Sequence, residues 1–164
     1  MHTLTPDQIR QLLAYDPDTG VFVWRPRARW VNNRAGKQAG ILNKQGYVCV
    51  TVRSKSYLAH RLAWAYTYGE WPTHNLDHIN RNRADNRITN LREASAGENA
   101  QNTPRYRSNK SGCKGVYEHS WGKWEAYITI NRKRVYLGVF ESLAEAKNAR
   151  QKAQTALFTH AGDL

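Results

Sequence analysis

The arrangement of apolar and polar positions along the chain predicts a series of short helices and strands. Residues 5–13 begin with Thr-Pro, a pair suited to a helix N-cap and first turn, and then place apolar side chains at helical spacing. We therefore predict a short amphipathic helix there. The same reasoning predicts a turn at 16–20, strands at 21–24 and 47–52, and a second helix at 58–68 that ends at Gly69.

Residues 72–102 differ from the rest of the chain because they are rich in Asn, Asp and Arg and hold few apolar side chains. This composition is poor core material, so we expect mostly loop, with a short helix at 93–102. Residues 103–112 are polar and basic and predict an exposed connection, and we place the linker itself at 103–110.

The last third of the chain has the clearest pattern. Three β-like runs at 115–117, 123–131 and 134–140 are separated by short turns. Ser142 and Glu145 then form a capping box that opens a helix. Its apolar stripe consists of alanines at positions 146, 149, 153 and 156. Such a stripe lets a helix lie close on a sheet, so we predict three strands covered by one helix.

These elements together predict an α+β fold. The chain has 164 residues, of which 40% are hydrophobic, which is enough for a core and argues against global disorder. We expect one domain at 1–102, the linker at 103–110 and a second domain at 111–164. No apolar run is long enough to cross a membrane and no signal peptide is recognisable, so we expect the protein to remain in the cytoplasm.

The net charge of +12 indicates a polyanionic partner, and nucleic acid fits better than a membrane surface because no strongly amphipathic basic helix stands out. The charge is unevenly distributed. Residues 1–72 and 103–164 each carry a net charge of +6, whereas residues 73–102 are neutral. Two basic regions therefore flank a neutral segment that contains most of the Asp, His and Asn residues of interest.

Four polar residues of that segment suit hydrolysis assisted by a metal ion. Asp77 offers a carboxylate that can bind a hard divalent cation such as Mg²⁺. His78 has an imidazole whose unperturbed pKa, ~6.5, lets it take a proton from water near neutral pH. Amides such as those of Asn90 and Asn99 can orient an imidazole or ligate the ion. Each residue alone is better explained by an Asn-rich loop, so their order and spacing carry the hypothesis.

That order and spacing resemble the HNH homing endonucleases of phages and mobile introns. The residues that carry the resemblance are His60-Arg61-Leu62-Ala63-Trp64, Leu76-Asp77-His78-Ile79-Asn80, the segment 85–92, and Asn99-Ala100-Gln101-Asn102, with a similar lead-in at 16–24. The resemblance implies a ββα-metal (His-Me finger) nuclease centre. It further implies that Asp77 and Asn99 hold one divalent cation, that His78 is the general base, and that Asn90 orients His78 through its backbone or amide.

Several assignments within this centre stay open. Many members of the family have His where this chain has Asn99, and an oxygen ligand favours Mg²⁺, with Mn²⁺ as the alternative. Asn102 lies three residues further along on nearly the same helix face and could be the ligand instead. Arg87 and Arg92 are candidates to clamp phosphates, or are solvated loop arginines.

The last third resembles a second family, the apetala/ethylene-response-factor DNA-binding domain. The carrying segments are 111–116, 123–128 and 137–140, together with the alanine-striped helix. In that family a three-stranded antiparallel sheet enters the major groove. The resemblance implies that six residues contact DNA: Lys114, Tyr117, Lys123, Trp124, Arg132 and Arg134. One face of each strand must be core, so we expect about half of these contacts to be wrong.

Taken together, the residues and the two resemblances predict a metal-dependent DNA endonuclease of the homing type that nicks DNA or cuts both strands. The expected partner is double-stranded DNA, bound by a monomer or weak dimer without a small-molecule cofactor. One alternative is a non-catalytic DNA-binding regulator derived from such a nuclease, which an intact Asp77-His78 pair disfavours. Another is a nuclease directed at RNA or at a particular nucleic-acid structure.

Overall fold

The computed structural model describes residues 4–26, 34–103, 108–131 and 133–159. It divides the chain into two compact units, Met1–Ala94 and Ser95–Leu164, which we describe separately. Helix α3, introduced below, therefore belongs to the second unit, whereas the sequence analysis placed the boundary at 103–110. Among the described residues, no helix has the length and apolar character needed to span a membrane.

The first unit opens with helix α1 (Pro6–Leu12), as predicted. Thr5 caps it, and the side chains of Thr5 and Gln8 each accept a hydrogen bond from the other residue's backbone N–H. The chain becomes extended at Leu13, so the helix stops there and β1 begins. Strands β1 (Leu13–Tyr15), β2 (Phe22–Trp24) and β3 (Gln38–Ala39) form an antiparallel sheet in that order.

A second small sheet and a helix complete the frame of this unit. Its strands are β4 (Ile41–Leu42), β5 (Val48–Val52) and β6 (Lys55–Leu58), and they lead directly into α2 (Ala59–Tyr68). Gly69 ends α2 in the left-handed conformation, at φ 79°, as its position predicted. The core of the unit lies between α1, α2 and the two sheets, and its fully buried side chains include Ile9, Leu13, Val50 and Leu62.

The segment that the sequence analysis assigned mainly to loop contains a β-hairpin. Strands β7 (Asn75–His78) and β8 (Leu91–Ala94) pair antiparallel, with a 3₁₀ turn at Ile88–Asn90 just before β8. Leu76 and Leu91 are buried and anchor the hairpin. Composition alone favoured loop here, whereas the ββα resemblance implied two strands. Hydrogen bonds between polar side chains, such as those of Asn80 with Asp85 and of Arg92 with Asp77, help to hold a hairpin that has few apolar residues.

The second unit begins with α3 (Ala96–Gln101), which is shorter than predicted because Ser95 caps it and Glu93 lies in β8. Strands β9 (Val116–Glu118), β10 (Trp124–Ile130) and β11 (Lys133–Phe140) form the predicted antiparallel sheet, with β10 in the centre. Helix α4 (Leu143–Leu157) follows, opened by the expected Ser142–Glu145 capping box.

The sheet of the second unit has one covered face and one open face. Val116 and Ala126 pack with Ala146 of α4, which makes this the core side. Side chains alternate along a strand, so Tyr117 of β9 and Tyr127 of β10 lie on the opposite side. The core is small, and the alanine stripe predicted on α4 contributes only Ala146 as a fully buried residue.

Candidate active site

Hairpin β7/β8 places Asp77 and His78 at the end of a buried strand. Its register sets Asp77 opposite Arg92 and His78 opposite Leu91. Both residues are buried: Asp77 is 7% exposed and His78 is 5% exposed. Two consecutive polar residues are thus held inside the fold at the point where β7 gives way to the loop 79–90.

Asp77 is held by an ion pair across the hairpin. Nε and Nη2 of Arg92 donate to Oδ2 of Asp77, over 3.1 and 2.8 Å. Arg92 is itself partly buried, so this pair is shielded from water more than a surface ion pair is. Arg92, expected to contact phosphate, therefore lies on the carboxylate that was expected to bind the cation.

The ring of His78 packs among other rings. Its centroid lies 5.0 Å from that of His60, in an edge-to-face arrangement, and 6.0 Å from that of Tyr47. Burial lowers the pKa of His78 below its usual value, while the side chain of Asn86, as a hydrogen-bonding neighbour, and the charge of Asp77 oppose this shift. The imidazole is consequently neutral near pH 7, which is the state in which it can accept a proton.

His60 is a buried residue that packs against the ring of His78. Burial, together with the neighbouring His78, lowers the pKa of His60 to about 3. Its Nδ1 atom is buried and has no hydrogen-bond partner among the described residues. His60 therefore stays neutral over the whole range in which His78 would work, and it acts as a flat packing surface.

Asn90 holds the loop between the two strands. Its amide nitrogen donates to Oδ1 of Asn80 (3.0 Å) and to the carbonyl of Asp85 (2.9 Å), and its Oδ1 accepts from the N–H of Asn80. The backbone carbonyl of Asn90 accepts from the N–H of Ile79, the residue that follows His78. The side-chain amide of Asn90 thus donates twice within the loop, and its backbone carbonyl holds the residue that follows His78. Asn90 therefore fixes the backbone next to His78.

Asp85 and Arg87 form a second pair within the same loop. Nε and Nη2 of Arg87 donate to the two carboxylate oxygens of Asp85, over 2.8 and 2.6 Å. Hydrogen bonding by Arg87 is the main reason that the pKa of Asp85 is lowered to about 2. Arg87 stays nearly half exposed. A phosphate that approached Arg87 would therefore share it with Asp85.

The N-terminal elements support this loop from behind, which the sequence analysis did not foresee. The hydroxyl of Tyr15 donates to the carbonyl of Asn86 over 2.7 Å in the interior. Gly20 has φ +73°, and a Cβ atom there would lie 2.5 Å from the N atom of Arg87. Only glycine allows the 16–20 turn to approach so closely. The buried Tyr15 gives no sequence signal of this role, whereas a glycine after a turn motif does give one.

The remaining centre residue, Asn99, lies on α3 in the second unit. There it is half-buried, and its N–H donates to the carbonyl of Ser95. Asn102, the alternative ligand, is the C-cap of α3 and is buried. The two asparagines thus differ in exposure, although both lie at the end of the same short helix.

The residues expected to read DNA fall in different surroundings within the second unit. Trp124 packs on the core side with Phe140 and Leu143. Tyr117 and Arg134 lie on the open side, where the guanidinium of Arg134 stacks over Tyr127 at 3.6 Å and lies 5.7 Å from the Tyr117 ring.

The other expected contacts are lysines with partners of their own, and one arginine. Nζ of Lys123 pairs with Glu141 over 2.7 Å. Nζ of Lys114 donates to the carbonyls of Ala100 and Thr103 at the end of α3. Arg132 lies outside the described residues.

Comparison with known protein families points to the same class of site. Residues 57–101 match the family model described as HNH endonuclease, a segment that runs from β6 through α3 and includes Asp77, His78, Asn90 and Asn99. The match covers a little over a quarter of the chain. It supports an HNH-type nuclease domain in this segment. No curated protein and no solved structure matches the chain.

Proposed function

We propose that the protein is a metal-dependent DNA endonuclease that hydrolyses phosphodiester bonds, with its centre on hairpin β7/β8. One observation carries the proposal: within the segment that matches the HNH endonuclease family, a buried carboxylate and a neutral buried imidazole stand side by side at the end of one strand. A carboxylate for a cation and a base for water are the two groups that such hydrolysis requires.

His78 is the general base in this proposal. Its lowered pKa keeps the ring neutral at physiological pH, so it can accept the proton of the attacking water. The packing against His60 and Tyr47 limits how the ring can turn. Asn90 contributes by fixing the loop that begins directly after His78.

The donor groups suit Mg²⁺, with Mn²⁺ as the alternative. Asp77 and Asn99 would hold the ion, since carboxylate and amide oxygens are hard ligands and Mg²⁺ is commonly bound by one or two protein groups together with water and substrate phosphate. Among the described residues, no three His, Cys, Asp or Glu side chains cluster as a metal site. When bound, the cation would stabilise the negative charge that develops on the phosphate and the leaving oxygen.

The partner in this proposal is double-stranded DNA, which the net charge of +12 favours. Arg87 is nearly half exposed and would meet the phosphates, whereas Arg92 would have to release Asp77 to do so. The sheet-plus-helix unit would supply further binding, as the apetala-type resemblance implies. We also propose a homing-type, phage- or intron-like nuclease that acts as a monomer or weak dimer. One centre per chain would nick DNA, and a double-strand cut would need two chains or two events.

The experiment is cleavage of supercoiled plasmid with Mg²⁺ or EDTA, by the wild type, His78→Ala and His74→Ala. His74 is an exposed histidine near the start of β7, so it serves as the matched control. Loss of a general base is expected to slow cleavage by ~10²–10⁴-fold while DNA binding persists. Wild-type binding without cleavage under any divalent ion would instead identify a non-catalytic regulator. Equal cleavage by the wild type and His78→Ala would remove His78 from the mechanism.

A further inference from the structure

A cavity of about 420 Å³ lies within the second unit, at the edge of the sheet beside the start of β9. This volume is in the range of ordinary ligand sites. Its walls combine cationic and aromatic side chains: Lys114, Tyr117, Tyr127, Arg134, Arg150 and Phe158. Among the described residues that line it, none is an Asp or a Glu. The cavity therefore suits an anion that carries a flat ring.

Arg150 is the feature that distinguishes this cavity from a basic surface patch. It is only 3% exposed, and its Nε atom is buried with no hydrogen-bond partner in the described chain. Nη1 donates to the amide of Gln154 over 3.0 Å, and no carboxylate forms an ion pair with Arg150 among the described residues. A buried charge of this kind costs free energy unless an anion compensates it.

Gly115 lies directly beside Arg150, at a position where only glycine fits. Its φ is +83°, and a Cβ atom at this position would lie 2.3 Å from the carbonyl oxygen of Tyr127 and 3.0 Å from Nε of Arg150. Any other residue would therefore collide with the backbone of β10 and with the guanidinium. The glycine therefore lets the chain just before β9 pass close to β10 and to the guanidinium of Arg150.

The aromatic side of the cavity is built around Arg134. Its guanidinium stacks on Tyr127 at 3.6 Å, and the Tyr127 ring in turn packs against Tyr136 at 5.3 Å. On the other side, the guanidinium of Arg150 lies 5.2 Å from the ring of Phe158. Flat rings and guanidinium groups are the surfaces on which unpaired bases stack, whereas paired bases are already stacked within a duplex.

We propose that this cavity binds an unpaired nucleotide of a DNA strand, with its phosphate at Arg150 and Arg134 and its base against the aromatic walls. The choice of DNA as the source rests on the proposed function, whereas the nucleotide chemistry rests on the cavity alone. The cavity shares Tyr117 and Arg134 with the open face of the sheet, but it adds Arg150 and Phe158, which come from α4 and the residue after it and which the duplex-reading model does not use. The protein would thus hold one extruded or terminal nucleotide while the nuclease centre acts elsewhere on the strand.

The test measures binding by full-length His78→Ala protein in EDTA, so that cleavage plays no part. The probes are a fluorescent oligothymidylate, a blunt duplex of the same length, and free thymidine 5′-monophosphate. Arg150→Gln is compared with Lys152→Gln, which removes the same charge from an exposed position of α4. Loss of a charged hydrogen bond should weaken oligothymidylate binding by roughly tenfold or more in Arg150→Gln. Lys152→Gln should change it far less.

A second variant keeps the proposal testable if Arg150→Gln does not fold. Thr129 lines the cavity and is exposed, so Thr129→Trp should fill the space without changing charge and should also weaken binding of the single strand. In addition, oligothymidylate should raise the Tm of the parent protein but not that of the Arg150 variant.

Three outcomes would overturn the proposal: equal effects of Arg150→Gln and Lys152→Gln, an Arg150-dependent preference for the duplex, or binding of the free nucleotide as tight as that of the strand. None of them depends on catalysis. Plasmid cleavage by the wild type would still stand if the cavity failed to bind, and binding would still stand if no cleavage occurred.

Discussion

The two units pair their charged side chains in opposite ways. In the first, Asp77 faces Arg92 across a hairpin and Asp85 is gripped by Arg87, so acids and bases neutralise each other beside a neutral histidine. In the second, Arg150 is buried with an amide as its hydrogen-bond partner, and Arg134 lies on an aromatic ring. In the proposed functions, the first arrangement would position groups for hydrolysis, and the second would retain positive charge for a ligand.

The difference also concerns how each region is held in place. The loop 79–90 is fixed by its own side chains, through Asn80, Asp85 and Asn90, and by Tyr15 and Gly20 from the N-terminal hairpin. The cavity of the second unit is bounded by a sheet edge and by one helix face. We therefore expect substitutions in the support of the loop to have larger effects on stability than substitutions in the cavity.

The largest effect is expected from Gly20→Ala, which should break the support of the loop. The added Cβ would lie 2.5 Å from the N atom of Arg87, so the backbone of one of the two segments would have to shift. Alanine would also have to adopt φ +73°, which is strained for a residue with a side chain. We expect a loss of about 2–4 kcal/mol in the free energy of unfolding, measured by urea denaturation. Gly36→Ala is the matched control, because Gly36 has φ +75° but open space around its Cβ position. Equal losses in the two variants would show that the contact with Arg87 does not matter.

A smaller loss is expected from Arg92→Ala, which leaves the buried Asp77 without its ion pair. Removing one partner of a buried polar contact costs about 1–3 kcal/mol. Mg²⁺ should restore part of this stability if Asp77 is a ligand, because the cation replaces the lost positive charge. The measurement is thermal unfolding with Mg²⁺ and with EDTA. An Arg92→Ala protein that is indifferent to Mg²⁺ would argue against Asp77 as a metal ligand.

Local sequence patterns predicted the elements that have strong local signals. They gave no signal for the elements held by contacts between residues far apart along the chain. Helices α1 and α4 have capping boxes, and α2 ends at a left-handed glycine, so each was foreseen. Strands β7 and β8 have no such local signal and were implied only by the ββα-metal resemblance, because a cross-strand pair such as Asp77 with Arg92 involves residues far apart along the chain.

The candidate site shows the same division. Asp77 and His78 were identified by their neighbouring positions and by resemblance, whereas Asn86 and Tyr15 act through contacts that no local pattern reveals. The alanine stripe on α4 also concealed Arg150. That residue lies four positions after Ala146 and therefore shares its buried face.

The neutral histidines of the first unit predict a pH dependence. The pKa of His60 is about 3 in the folded protein, against 6.5 for a solvated imidazole, so the unfolded chain binds one more proton between these values. Stability should therefore fall as the pH drops below 6.5, by about 1.4 kcal/mol per pH unit for this group, and should not depend on His60 above it. Denaturation at pH values above and below 6.5 should show a shallower slope for His60→Phe. An unchanged wild-type slope in His60→Phe would contradict the assignment.

The smallest effect concerns the second metal ligand. Asn99 lies on α3, and in the proposed mechanism it is the second protein ligand of the cation. Asn99 is half-buried, whereas Asn102 is buried as the C-cap of the same helix. Their replacements should therefore separate two measurements.

Asn99→Ala should raise the Mg²⁺ concentration for half-maximal plasmid cleavage by roughly three- to tenfold while leaving Tm nearly unchanged, since Mg²⁺ bound by few protein groups loses affinity with each one. Asn102→Ala should lower Tm, because removing a buried amide leaves the polar groups around it without a hydrogen-bond partner. It should change the Mg²⁺ requirement little. The reverse pattern would exchange the two asparagines and make Asn102 the ligand. If neither variant altered the Mg²⁺ requirement, neither asparagine would be a ligand of the cation.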